Sequence, residues 1–211
     1  MNDGRVRWEQ LVSEVDHVPE KGWFAWYEVP LEEASVAAAA SAGSSTVPRV
    51  IAATREHDTR HLQQLLPSLD GTRVTHVQFE AEPGNPRTGA FLAALADRSV
   101  SAIPAVHLPR SMGSEQLRTQ AERLAGLGGA VIKVVYPAPT AADVLAGLDV
   151  LADWPQNEVP LSLTPAGSRQ GRLLAALAGS ALVFVPPVAE PDRLPTAWWR
   201  ELLDPPLDHT E

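Results

Sequence analysis

The sequence contains no cysteine, which excludes disulfides, zinc–thiolate sites and thiol nucleophiles. It has no excess of positive charge either. The net charge of -9 disfavours a nucleic-acid binder, which presents a basic stripe to phosphates. No block of like charges suggests steering to a membrane surface. The longest uncharged stretch, residues 173–189, is interrupted by Gly179, Ser180, Pro186 and Pro187, so it reads as helix, turn and buried strand rather than a membrane span. The N-terminus, Met-Asn-Asp-Gly-Arg, lacks a basic-then-apolar leader pattern, and a cytoplasmic location is expected.

Lysine is nearly missing. Of 17 basic residues all but Lys21 and Lys133 are arginine. Scarcity alone says little, but the second lysine lies in Val131-Ile132-Lys133-Val134-Val135-Tyr136, where a cation is costly to bury. Arginine tolerates burial as a cation but cannot shed its proton or form an imine; lysine does both.

What is present is ordinary globular composition, 45% hydrophobic and 20% charged over 211 residues, enough for one core and a single domain over 1–211 with a frayed tail at 204–211. From residue 48 onward, β-branched runs alternate with Ala/Leu-rich helical patterns. Strands are expected at 49–54, 74–79, 100–107, 130–136, 159–163 and 181–185. Helices are expected at 58–66, 88–96, 114–124, 140–151, 169–178 and 196–203, with Ser114 and Thr140 as N-caps. Such alternation implies a parallel sheet with right-handed crossovers. A strand within 22–29 and a short one at 5–8, followed by helices at 9–15 and 31–42, bring the count to eight. The fold class is therefore α/β, a compact (β/α)8 TIM barrel with an irregular N-terminal part; a flavodoxin-like open sheet, needing five or six strands, is the competing topology.

Alternate side chains of a barrel strand point inward. Val131, Lys133 and Val135 share one face, as do Ile103, Ala105 and His107 on the preceding strand. Lys133 and His107 are 26 residues apart, one strand–helix unit, so their strands should be neighbours, with both side chains toward the C-terminal mouth. A buried amine beside an imidazole suits nucleophilic and acid–base catalysis. The bland alternatives are a snorkelling lysine and a structural histidine.

The stretch from Ala130 to Pro137, with Ala105-Val106-His107 before it, resembles the Schiff-base strand and histidine strand of type I 3-dehydroquinate dehydratases. Pro160–Gly167 followed by Gly171-Arg172 and Ala178–Ala181 resembles the family's seventh-to-eighth-strand passage, and Val50–Arg55 its third strand. The resemblance spans residues 48–203. It implies a dehydratase (lyase) in which Lys133 forms an imine with a cyclic keto acid, His107 moves the protons, and Arg172 and Arg55 contact the substrate. It implies no metal and no organic cofactor, a small-molecule carbonyl substrate as partner, and admits a homodimer.

The sequence departs from that pattern in three places. Leu108 follows the histidine where the family carries an acid, so the imidazole is expected to lose its orienting partner. No Glu-x-Arg pair stands in register near Trp23–Glu28. The residues after the eighth strand that read substrate hydroxyls become Ala189 and Arg193, and Trp23, Phe24 and Trp26 are expected to give a more apolar pocket wall. Three readings follow: the dehydratase itself, the same barrel recruited to another carbonyl or cyclisation reaction in specialised metabolism, or a catalytically silent scaffold. His57 and His61 echo a zinc-binding helix without a third ligand and read as a solvated helix start. Residues 126–129 read as a helix-ending turn, and Trp198-Trp199 as packing for the last helix, on the barrel or a partner subunit.

Overall fold

The computed structural model describes residues 10–14, 26–31, 49–56, 59–155, 157–186 and 188–203. Eight parallel strands form its sheet: β1 (Leu11–Glu14), β2 (Trp26–Pro30), β3 (Arg49–Ala53), β4 (Val74–Glu80), β5 (Ser101–His107), β6 (Ile132–Pro137), β7 (Leu161–Ala166) and β8 (Val183–Val185). They run in the order β7-β6-β5-β4-β3-β2-β1-β8. Helices α1 (Thr59–Leu65), α2 (Pro86–Ala96), α3 (Ser114–Ala125), α4 (Ala141–Ala152), α5 (Arg169–Leu177) and α6 (Thr196–Leu203) alternate with the later strands. This is a nearly closed (β/α)8 TIM barrel.

The seam between β7 and β8 lacks a regular ladder and is bridged by two serine hydroxyls and one backbone hydrogen bond. Ser162 Oγ donates to the Leu182 carbonyl at 2.9 Å, Ser180 Oγ accepts from Leu163 N at 3.0 Å, and Ala181 N donates to Leu161 O at 2.8 Å. Both serines are buried, so these hydroxyls satisfy backbone groups that an open edge would leave unpaired.

The N-terminal part departs from expectation. Leu11–Glu14, expected within a helix, is the first strand, paired with both β2 and β8. Local sequence here is too short to favour either state, and the two flanking strands supply the ladder that decides it. The expected strand at 5–8, the 32–42 part of the next helix, Lys21, Trp23, Phe24, His57 and the tail 204–211 lie outside the described residues; His61 is exposed on α1. Elsewhere the elements fall close to their expected places. Thr140 caps α4 in a full capping box with Asp143. Ser114 is the first residue of α3 rather than its cap, the cap being Gly113. The turn after α3 carries Gly128 at φ 73°, and Trp199 is buried in the core between barrel and helices.

Two apolar layers result. The larger lies between sheet and helices, and the smaller fills the barrel with Val12, Trp26, Ile51, Ile103, Val131, Leu182 and Phe184. Gly147 shows how tightly α4 sits on the sheet: a Cβ there would come 2.0 Å from Tyr136 Oη. That hydroxyl donates to the Asp143 carbonyl at 3.2 Å.

Candidate active site

The inward-facing residues can be read from the register. Glu14 pairs with Glu28, Ile51 with His76, Gln78 with Ile103, Ala105 with Lys133 and Lys133 with Ser162. At the N-terminal end the interior is closed by Trp26, with Arg49 4.8 Å above its ring and His76 edge-on at 4.8 Å. Trp26 is thus part of the floor and not of a pocket wall near the mouth. Above the apolar plug, Gln78, Glu80 and Lys133 are buried polar residues. Burial of this kind is expensive unless each group finds a partner.

Lys133 finds two. Its Nζ donates to Gln78 Oε1 at 2.9 Å and lies 3.3 Å from the centroid of the Phe184 ring. Burial pushes its pKa down to about 8; Glu28 and Glu14 pull the other way, while Arg55 and Arg172 add to the depression. At pH 7 a pKa of about 8 leaves about one amine in ten uncharged, against about one in three thousand at 10.5. The amine is therefore a usable nucleophile near neutrality.

His107 ends β5 and pairs with Val135, two residues beyond Lys133 on the adjacent strand. The offset corresponds to about 7 Å along the strands and about 5 Å across them. Its Nδ1 lies 2.7 Å from Glu80 Oε2, and its backbone N–H donates to Glu80 Oε1 at 2.6 Å. Only a protonated Nδ1 can donate to a carboxylate, so Nε2 is left for a ligand. The expected loss of an orienting partner is corrected here. The partner comes from β4 across the sheet instead of from position 108.

The mouth carries seven further charged groups: Glu28, Arg172 with Asp192, Arg193 with Glu14 and Glu190, and Arg55. Glu28 faces inward beside the lysine; burial raises its pKa, opposed by Lys133, and its Oε2 is inaccessible and has no hydrogen-bond partner. Arg172, in the first turn of α5, pairs with Asp192 at 3.2 Å. Arg193 contacts Glu14 through Nη2 and Glu190 through Nη1 at 3.2 Å. Arg55 follows β3 and is exposed, yet its charge acts on both Lys133 and Glu28. So Lys133, His107 and Arg172 are brought to one end of one barrel, with Arg55 at its rim. Gln78, Glu80, Glu14, Glu28, Glu190 and Asp192 were missed. The signal for the first two was legible: His76, Gln78 and Glu80 alternate with Val77 and Phe79, a polar face inside a strand. Among the described residues no group of three His, Asp or Glu side chains could hold a metal ion, and no helix is long and apolar enough to cross a membrane.

No family model matches the sequence, and no curated protein matches it. Solved structures do. A type I 3-dehydroquinate dehydratase from Clostridium difficile, solved with covalently modified comenic acid, superposes with a TM-score of 0.78 at 14% identity, covering 95% of this chain and 93% of that one. The 3-dehydroquinate dehydratase from Geobacillus kaustophilus gives 0.75 at 15% identity, covering 93% and 90%. That from Enterococcus faecalis gives 0.74 at 12% identity, covering 95% of each chain. The chain has the fold of the type I 3-dehydroquinate dehydratases and stands far from them in sequence.

Proposed function

We propose that the protein is a lysine-dependent carbon–oxygen lyase of the 3-dehydroquinate dehydratase kind, acting on a cyclic keto acid. The observation that carries this reading is a buried amine, poised near neutral pH, on the same interior wall as a carboxylate-oriented imidazole. Uncharged Lys133 Nζ adds to the ring carbonyl, and the carbinolamine takes up a proton from solvent and loses water to give a protonated imine. The imine acidifies the neighbouring carbon, and His107 Nε2 takes that proton. The resulting enamine expels the β-hydroxyl, which leaves as water with the proton returned by His107. Water then hydrolyses the imine, releasing the enone and restoring the amine. Gln78 and Phe184 hold the lysine; Glu80 holds the tautomer of His107. Arg172 is the residue assigned to the substrate carboxylate, and Arg55 is a further substrate contact. The same reading includes a cytoplasmic homodimer, which size-exclusion chromatography tests.

A second reading keeps the imine and changes the substrate. Arg193 commits both terminal nitrogens to Glu14 and Glu190, and Ala189 offers no polar side chain, so these two positions supply no obvious reader for a polyol. That favours a less hydroxylated ketone and a role in specialised metabolism. Incubation with 3-dehydroquinate, followed by enone absorbance, separates the two readings. Borohydride trapping with a ketone panel that includes comenic acid tests what they share. Wild type should gain the mass of a reduced adduct and Lys133→Ala should not. If no ketone is trapped on wild type, both imine readings fail, leaving a scaffold or a non-covalent reaction in the same barrel.

A further inference from the structure

Asp192 occupies the position expected of a bound acid. Its Oδ2 accepts from the backbone N–H of Gly167 at 2.9 Å and from Arg172 Nη2 at 3.2 Å. A backbone donor at the end of a barrel strand plus a guanidinium is a carboxylate site, here filled by the chain's own side chain. The segment carrying Asp192 is held down by Arg169, whose Nη2 donates to the carbonyls of Glu190 and Pro191 at 3.0 and 3.1 Å. Glu190 and Arg193 close it into a small loop. Yet the contact uses only part of the arginine. Arg172 Nε is buried without a partner, although a planar carboxylate can engage Nε and Nη2 together.

We propose that Asp192 is an internal ligand of the Arg172 site and that a substrate carboxylate enters by exchange with it. The proposal rests on the keto-acid reading only in taking Arg172 as the carboxylate site. Charge balance supports exchange over simple addition. Glu14, Glu28, Glu190 and Asp192 already face Lys133, Arg55, Arg172 and Arg193 around the mouth, and Glu80 is taken up by His107. One more buried anion would go uncompensated. Swapping one carboxylate for another leaves the arginine neutralised and satisfies Nε. Asp192, at 28% side-chain accessibility against 16% for Arg172, is the partner nearer to solvent and the one able to leave. Asp192 therefore sets how strongly the site takes acids, while Arg169 continues to hold the carbonyls of Glu190 and Pro191 after it leaves.

The test is isothermal titration of wild type, Asp192→Asn and Arg172→Gln with comanic acid, a pyranone monocarboxylic acid, and with uncharged γ-pyranone as control. Removing the internal anion should tighten comanic acid binding about fivefold, the worth of a partly exposed ion pair, and leave γ-pyranone unchanged. Arg172→Gln should abolish the preference for the acid. Equal or weaker comanic acid binding by folded Asp192→Asn, with folding checked by thermal melting, overturns the exchange. So does absence of comanic acid binding in both proteins. Wild-type-like binding of comanic acid by Arg172→Gln removes the carboxylate site itself, and with it that part of the keto-acid reading. Lysine trapping, measured separately, stands or falls on its own.

Discussion

Lys133→Met should make the protein more stable at neutral pH. The lysine's pKa falls from 10.5 in the unfolded chain to about 8 in the barrel. The folded state thus resists protonation, and the unfolded state binds more protons between those two values. Wild-type stability consequently rises as pH climbs from 8 to 10.5, and at pH 7 the full penalty is present. The shift corresponds to about 3 kcal/mol. Losing the hydrogen bond to Gln78 costs the variant about 1 kcal/mol, while methionine fills a similar volume. The net gain is about 2 kcal/mol at pH 7, or about 5 °C in Tm for a chain of this size. The Glu28 carboxyl moves further up, since the largest charge opposing its burial effect is gone. The assay is urea unfolding of both proteins at pH 7, 8.5 and 10.5, with the difference shrinking at each step. A variant less stable than wild type at every pH would refute the reasoning, because the amine would then be a net structural asset.

Three further outcomes follow from the geometry. Glu80→Gln should leave imine trapping at Lys133 intact but slow exchange of the α-proton of a bound ketone by about a hundredfold, because the imidazole loses its tautomer control; deuterium uptake by mass spectrometry measures it. His76, its pKa lowered to about 4 by burial and by Arg49, stays neutral in the fold while the unfolded chain takes its proton below 6.5. Stability is therefore lost as pH falls from 6.5 toward 4. After solvent screening the loss is about 1 kcal/mol, and His76→Gln should flatten that part of the acid unfolding curve. Gly147→Ala should cost about 1–3 kcal/mol by overpacking, since its Cβ meets Tyr136 Oη; Tyr136→Phe in the same chain should recover part of it in a double-mutant cycle read by thermal melts.

The barrel was legible where strands and helices alternate cleanly, from β3 to α6, because each buried parallel strand reads as a β-branched run and each helix as a spaced apolar face. It was illegible at β1. Leu11-Val12-Ser13-Glu14 has no periodicity long enough to separate strand from helix, and its state is set by β2 and β8 on either side. The shift of the seventh strand to Leu161–Ala166 has a related cause. Its start is fixed by pairing with β6, and Pro160 before it has no N–H to give a ladder.

For the site, what could be read was chemistry carried by one residue at a time. Lys133 stands out because an apolar strand tolerates few cations, and His107 because spacing sets it one strand away. What could not be read was chemistry shared across the sheet. The acid that orients His107 is Glu80, 27 positions upstream, and only the β4–β5 register brings them together. The same holds for Glu28, whose charge acts on the lysine across the barrel interior. It also holds for Asp192, whose carboxylate meets Arg172 from 20 positions downstream. A parallel barrel turns every inward residue into a neighbour of residues one or more strand–helix units away. Searching beside a catalytic residue in the sequence therefore looks for its partners in the wrong direction. The productive search follows parity: polar residues at alternate positions of adjacent strands, as in His76, Gln78 and Glu80, mark the wall that faces the buried amine.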